Sequence, residues 1–235
     1  MNIPVYIRRR FGLVATVIAC AVSAPVLASE SVHLDKFPTE KMQSMPALQD
    51  GARTFVNYCL NCHSASMMRF NRLQDIGLTD EQISGSLQFT EGRVGDLMKV
   101  AMRHEDGKAW FGAAPPDLSV EARARASESG SGADWIYTYL RSYYRDGSRE
   151  TGWNNAVFPN VGMPNPLWQW QGMRGAVEER VAPVTDEATG KVTGWTKTTI
   201  TYDREGNKSE KVEKVDGDGL HEGTHFTLGT PEGGT

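Results

Sequence analysis

Three cysteines in 235 residues leave almost no room for a disulfide framework. One of them, Cys20, falls inside an N-terminal stretch patterned for export. Arg8, Arg9 and Arg10 lead into the apolar run Phe11 to Val22, and Val26, Leu27 and Ala28 form a small-residue exit. Cleavage after Ala28 is expected, so the mature chain starts near Ser29 and keeps two cysteines, both in the one motif described next, which leaves none for a structural disulfide. A retained anchor competes with that reading, because Phe11 to Ala28 is 18 residues, the lower limit of a span. A lipoprotein-like box at Val17 to Cys20 is a further alternative. Long apolar runs are missing after this point, so no later membrane span is expected. Positive charge is also in deficit, with 25 Lys+Arg against 29 Asp+Glu. Removing residues 1–28 takes away three arginines and no acid, which moves the formal charge from −4 to −7. That balance argues against nucleic acid. It suits docking to a basic soluble partner, and equally an acidic surface with no special partner.

The two remaining cysteines stand in Tyr58-Cys59-Leu60-Asn61-Cys62-His63, a C-x-x-C-H run. This is the spacing of a c-type haem attachment site. Two thiols about one helical turn apart can each add across one vinyl group of the same porphyrin, and the adjacent histidine is carried under the ring to bind iron. A zinc site would need two more ligands at matching spacing, and the only other cysteine is Cys20. A dithiol redox site would follow a strand in a βαβ pattern, which does not surround Cys59. One covalently bound haem c is the expected cofactor.

Leu48, Ala52, Phe55 and Val56 recur at three- and four-residue spacings with Pro46 just ahead, which predicts a helix over Leu48 to Tyr58 running into the motif. Thr79 and Gln82 have the spacing of a capping box. Gly92 to Arg103 is expected to form another helix, apolar at Val94, Leu97, Met98, Ala101 and Met102. Pro115-Pro116 is rigid, and Asp117 or Ser119 can cap the helix through Glu121 and Ala124. Asp134 to Tyr144 is expected to be helical, with Trp135, Ile136, Tyr139, Leu140 and Tyr143 near one face. Met163 sits between Gly162 and Pro164 on a loop, which suits a second axial ligand: a thioether paired with histidine favours ferrous iron. Met67, Met68, Met98, Met102 and Met173 compete for that role. Val192 to Tyr202 and Lys208 to Val215 read as a hairpin in a solvated arm, and His221 and His225 read as surface histidines.

Taken together these residues resemble the cytochrome c1 family, the haem c subunit of the quinol:cytochrome c oxidoreductase or cytochrome bc1 complex. Cys59 to Ser64 is similar to the family's attachment motif. Pro115-Pro116-Asp117-Leu118-Ser119 with Arg123-Ala124-Arg125 resembles its proline-rich haem-contact segment, and Phe158-Pro159 through Gly162-Met163-Pro164 resembles its ligand loop. The resemblance covers about residues 30–175. It implies that Cys59 and Cys62 bind the haem, that His63 and Met163 ligate iron, and that Pro115 and Pro116 pack on the ring. Arg125 would pair with a propionate. It also implies a mainly α, class I cytochrome c-like fold with long loops and a small β-hairpin insertion.

The expected organisation is a signal peptide at 1–28, a haem domain at 29–175, a solvated hairpin-like arm at 176–219 and a C-terminal segment at 220–235. The family's last helix and membrane anchor are not visible in that last segment, so the opening helix is expected to keep an uncovered apolar face. By the resemblance the protein passes single electrons from a Rieske iron–sulfur protein to a soluble cytochrome c, beside cytochrome b. It would lie at the periplasmic face of the bacterial inner membrane, held there by the complex or by an anchor. No acid, base or nucleophile is required of it. A free periplasmic c-type electron carrier is the alternative, and a haem enzyme or gas sensor, which needs an open iron site, is a third.

Overall fold

A computed structural model describes residues 33–217 and 219–234, so the export segment, its cleavage point and Cys20 lie outside the described residues. The expected opening helix is present as α1 (Met45–Thr54), with Pro46 in its first turn, where a missing N–H costs nothing. It runs on into one turn of π-helix, Phe55–Cys59. Such widened turns are rare and gather at functional sites. No residue of α1 is buried, but Leu48 and Ala52 on its apolar face are half-buried, and just beyond it Val56 is buried.

After the motif come β1 (Ala65–Arg69), a 3₁₀ segment (Phe70–Ile76) and α2 (Asp80–Ser86). The Thr79–Gln82 capping box is formed: the Gln82 amide donates to the Thr79 hydroxyl, and the Thr79 amide to the Gln82 side chain. Ala65, Phe70, Ile83 and Met98 make the first small core, with Phe55, Leu60 and Val94 packed on it. The helix expected over Gly92 to Arg103 is not there. The Asp96 carboxylate takes the Arg93 amide at 2.8 Å, the Asp96 carbonyl takes the Phe70 amide, and β2 (Leu97–Met98) pairs with β1. A helical spacing of apolar residues is overridden by a turn and a cross-strand partner. The helix begins later, as α3 (His104–Phe111). Its Gly107 is required by crowding, because a Cβ there would lie 2.8 Å from the Pro115 ring.

The short α4 (Glu121–Ala124) and the capped α5 (Gly132–Arg141) lead into β3 (Tyr143–Arg145), which pairs antiparallel with β4 (Trp153–Asn155). Tyr143 and Tyr144, expected at the end of the helix, are strand residues pointing to opposite faces. Tyr143 enters a core with Trp153 and Val161, whereas Tyr144 enters another with Ala176, Ile200 and Tyr202. One strand thus joins the loop region to the sheet behind it.

That sheet corrects the expected fold class: the protein is not mainly α, since about 30% of the structure is helical and 26% is strand. After α6 (Trp168–Gln171), β5 (Ala176–Thr185), β6 (Val192–Tyr202), β7 (Lys208–Val215) and β8 (Gly223–Leu228) form one antiparallel sheet in the order β7-β6-β5-β8. The expected hairpin exists as β6 and β7, in register from Trp195 opposite Val215 to Tyr202 opposite Lys208. It is half of a four-stranded sheet rather than a small insertion.

Candidate cofactor site

The π turn ends at Cys59, and the chain then folds back on it. The Cys62 and His63 amides both donate to the Cys59 carbonyl, at 3.1 and 2.9 Å. Both thiols are free and half-buried. Burial pushes each of them above the ordinary thiol range, and at Cys59 the neighbouring Cys62 adds to the effect. Both therefore remain protonated near neutral pH, the form in which an S–H can add across a double bond. His63 is only 8% exposed, and its Nδ1 lies 2.8 Å from the Pro116 carbonyl. A carbonyl can only accept, so Nδ1 carries the proton and Nε2 keeps its lone pair for a metal.

Residues 63–67 are laced to the proline-rich segment beyond that bond. The Leu118 amide donates to the Ser64 carbonyl at 2.8 Å, the Ser66 amide to the Asp117 carboxylate at 2.9 Å, and the Met67 amide to the Ser119 hydroxyl at 3.0 Å. Hydrogen bonds from Ser119 and Ser66 hold the Asp117 carboxyl far below the usual carboxylate range. Neither Asp117 nor Ser119 caps α4 as expected, since both side chains are turned to the attachment segment. A cleft of about 360 Å³ opens beside these residues, lined by Cys62, Pro115, Met102, His104 and Lys99. Two thiols, one prepared imidazole nitrogen and an adjoining cleft fit a covalent haem.

The second group of expected residues lies on the loop after β4. Asn155 has no exposed surface. Its side-chain amide donates to the Tyr139 carbonyl at 2.7 Å, and its oxygen takes the amides of Val157 and Phe158 at 2.9 and 3.1 Å. Asn154 takes the amides of Asn155 and Asn160, and its own amide reaches the buried Asp146 carboxylate. Asn160 adopts a φ of 63°, a left-handed turn that asparagine tolerates. This wiring carries the loop to Met163, which packs against the core of Tyr143, Trp153 and Val161. Its sulfur accepts the Tyr139 hydroxyl at 3.5 Å.

The expected residues fall into two groups. Cys59, Cys62, His63, Pro115 and Pro116 share the attachment wall, whereas Met163 and Arg125 belong to the aromatic surroundings of α5. Arg125 donates through Nε to Glu121 at 2.6 Å, and its guanidinium lies 4.4 Å over Trp135 and 5.9 Å from Phe158. Gly162, beside Met163, backs onto the Phe111 carbonyl at the end of α3, so close that a Cβ would stand 2.7 Å from it. Among the competing methionines, Met98 is in the first core at 3% exposure and Met67 is 73% exposed, while Met68 and Met173 also face solvent. Met102 lines the cleft with Cys62 and is the one rival in place. Asn154, Asn155 and the pair Tyr139–Tyr143 were not singled out by sequence reasoning. The available signals were two adjacent asparagines ahead of a proline-flanked loop, and two tyrosines four apart on a helix face.

The Cytochrome C1 family model matches residues 38–174. An ammonia monooxygenase gamma subunit from Nitrosomonas europaea is 49% identical over 152 residues, covering 63% of this chain and 62% of that protein. A cytochrome c1 from Allochromatium vinosum is 39% identical over 168 residues, covering 71% of this chain and 66% of that protein. A mitochondrial cytochrome c1 haem protein from Neurospora crassa is 26% identical over 168 residues, covering 60% and 49%. The match therefore spans less than two thirds of the length of each of these relatives.

Proposed function

We propose, from the premise that this chain belongs to the cytochrome c1 family, that it is a haem c electron-transfer subunit of the cytochrome bc1 complex. Proteins of this family carry one covalently bound haem c, which takes up and releases single electrons. Cys59 and Cys62 would hold it by thioether bonds, each S–H adding across one vinyl group. His63 would bind iron through Nε2, and Pro115 and Pro116 would pack on the ring. Met163 would supply the second axial ligand, and Arg125 would turn its terminal nitrogens to a propionate while Nε stays with Glu121. The observation that carries this reading is the 2.8 Å bond between His63 Nδ1 and the Pro116 carbonyl, which fixes the tautomer a metal ligand needs.

In this reading electrons arrive from a Rieske iron–sulfur protein and leave to a soluble cytochrome c, with cytochrome b as the neighbouring subunit. The protein would be exported and sit at the periplasmic face of the inner membrane. No helix among the described residues is long and apolar enough to cross a membrane. Membrane association would run through the complex or through an anchor of the family's kind. The Nitrosomonas europaea relative favours a second reading, as a subunit of an ammonia monooxygenase assembly. Purification under mild detergent separates the two: cytochrome b and a Rieske protein should accompany the chain in the first, and monooxygenase subunits in the second.

The ligand assignment is tested by Met163→Leu beside Met102→Leu in the haem-loaded protein. Met163→Leu should abolish the methionine–iron charge-transfer band and lower the reduction potential, whereas Met102→Leu should keep both. The reverse pattern would move the ligand to Met102.

A further inference from the structure

Tyr143, at 1% exposure, donates its hydroxyl to the Tyr139 hydroxyl at 2.7 Å, and the Tyr139 hydroxyl lies 3.5 Å from Met163 Sδ. The order of protons along this chain is forced. A thioether has no proton to give, so Tyr139 must donate to sulfur, and its oxygen is then left to accept from Tyr143. The two rings are locked where they stand. Tyr139 stacks on Trp135 with centroids 4.9 Å apart and meets Tyr143 edge-on at 5.4 Å. The Asn155 amide holds the Tyr139 carbonyl at 2.7 Å, and that same asparagine organises the loop bearing Met163.

We infer that Tyr139 is the positioning residue of Met163: its hydroxyl, polarised by Tyr143, fixes the thioether and draws electron density from it, favouring the reduced state of the bound cofactor. The inference rests on Met163 being the axial ligand. Two properties of sulfur make it work. Methionine has three rotatable bonds and fills irregular space, so a fixed rotamer needs a tether. Its sulfur carries two lone pairs, so a hydrogen bond to one leaves the other for iron. Less donation from sulfur disfavours ferric iron more than ferrous, and hydrogen bonding to a ligand is one of the protein's levers on a haem.

The test uses the full-length haem-loaded protein with Tyr139→Phe, Tyr143→Phe and Met163→Leu. All three are read by redox titration and by the methionine–iron absorption band, and melting temperature reports folding. Tyr139→Phe should shift the reduction equilibrium about two- to ten-fold towards the oxidised form, the range allowed by one hydrogen bond of ordinary net strength. The band should persist but move. Tyr143→Phe should shift the equilibrium the same way by less, because the Tyr139–sulfur bond survives without its polarising partner. It also keeps the inference testable should Tyr139→Phe fail to fold. An unchanged equilibrium and band in either phenylalanine variant, alongside a band abolished by Met163→Leu, would overturn the inference alone. A band untouched by Met163→Leu would instead overturn the ligand reading on which it rests.

Discussion

The attachment wall and the loop wall, the two groups of residues proposed to hold the cofactor, are held by different kinds of bond. On the attachment wall, backbone amides of residues 66, 67 and 118 meet a carboxylate, a hydroxyl and a carbonyl of the facing segment, and much of that lacing is open to water. On the loop wall, two buried asparagines bond backbone groups that are themselves only partly buried. At the exposed bonds of the first wall solvent can take over what a substitution removes. The second has less of one, since a group turned to a fully buried side chain bears more of its desolvation penalty when that partner is lost. A motif of six residues suffices for the first wall, whereas the second needs residues on α5, β4 and the loop to agree.

Asn155→Ala gives the largest effect that follows from this contrast. It strands the Tyr139 carbonyl and the amides of Val157 and Phe158, and should cost about 2–4 kcal/mol of stability. The denaturant midpoint checks it, and a cost below about 1 kcal/mol would mean that water reaches the loop after all. Asp117→Ala should do much less. It releases the Ser66 and Ser119 amides on an exposed edge, so about 0.5–1.5 kcal/mol is expected by the same measurement. A larger cost at Asp117 than at Asn155 would break the comparison.

The same contrast explains what the sequence disclosed. Cys59, Cys62 and His63 and the α1 helix ahead of them were legible because their information is local, as was the Thr79–Gln82 box. The strands were not. Gly92 to Arg103 has helical spacing, but Met98 pairs with Ala65. Tyr143 follows Tyr139 by four residues, as on a helix face, but pairs with Asn155. Residues 176–185 mix valine with charge and read as a solvated arm, but strands 192–202 and 223–228 flank them on both sides. In each case a partner distant in sequence decided the conformation, and propensity within a window of a dozen residues cannot register it.

The smallest expected effect sharpens the comparison from a third side, because Asn155 has nothing to titrate and Asp134 does. Asp134 opens α5, the helix that carries Tyr139, and its carboxylate takes the Phe37 amide at 2.8 Å, the Lys36 ammonium at 3.0 Å and the Ser131 amide. The bond from Phe37 first, then Lys36, brings its pKa from the ordinary 3.8 down to about 2. A carboxyl depressed in the folded state lends stability that is fully present above its unfolded value, near pH 4, and is lost as pH falls through about 2. The gap in stability between the unaltered protein and Asp134→Asn should therefore be constant from neutral pH to about 4, then narrow towards pH 2. Asn155→Ala should show no such narrowing in that window. If the Asp134→Asn gap stayed flat across it, the charge on Asp134 would not be what ties residues 36 and 37 to the start of α5.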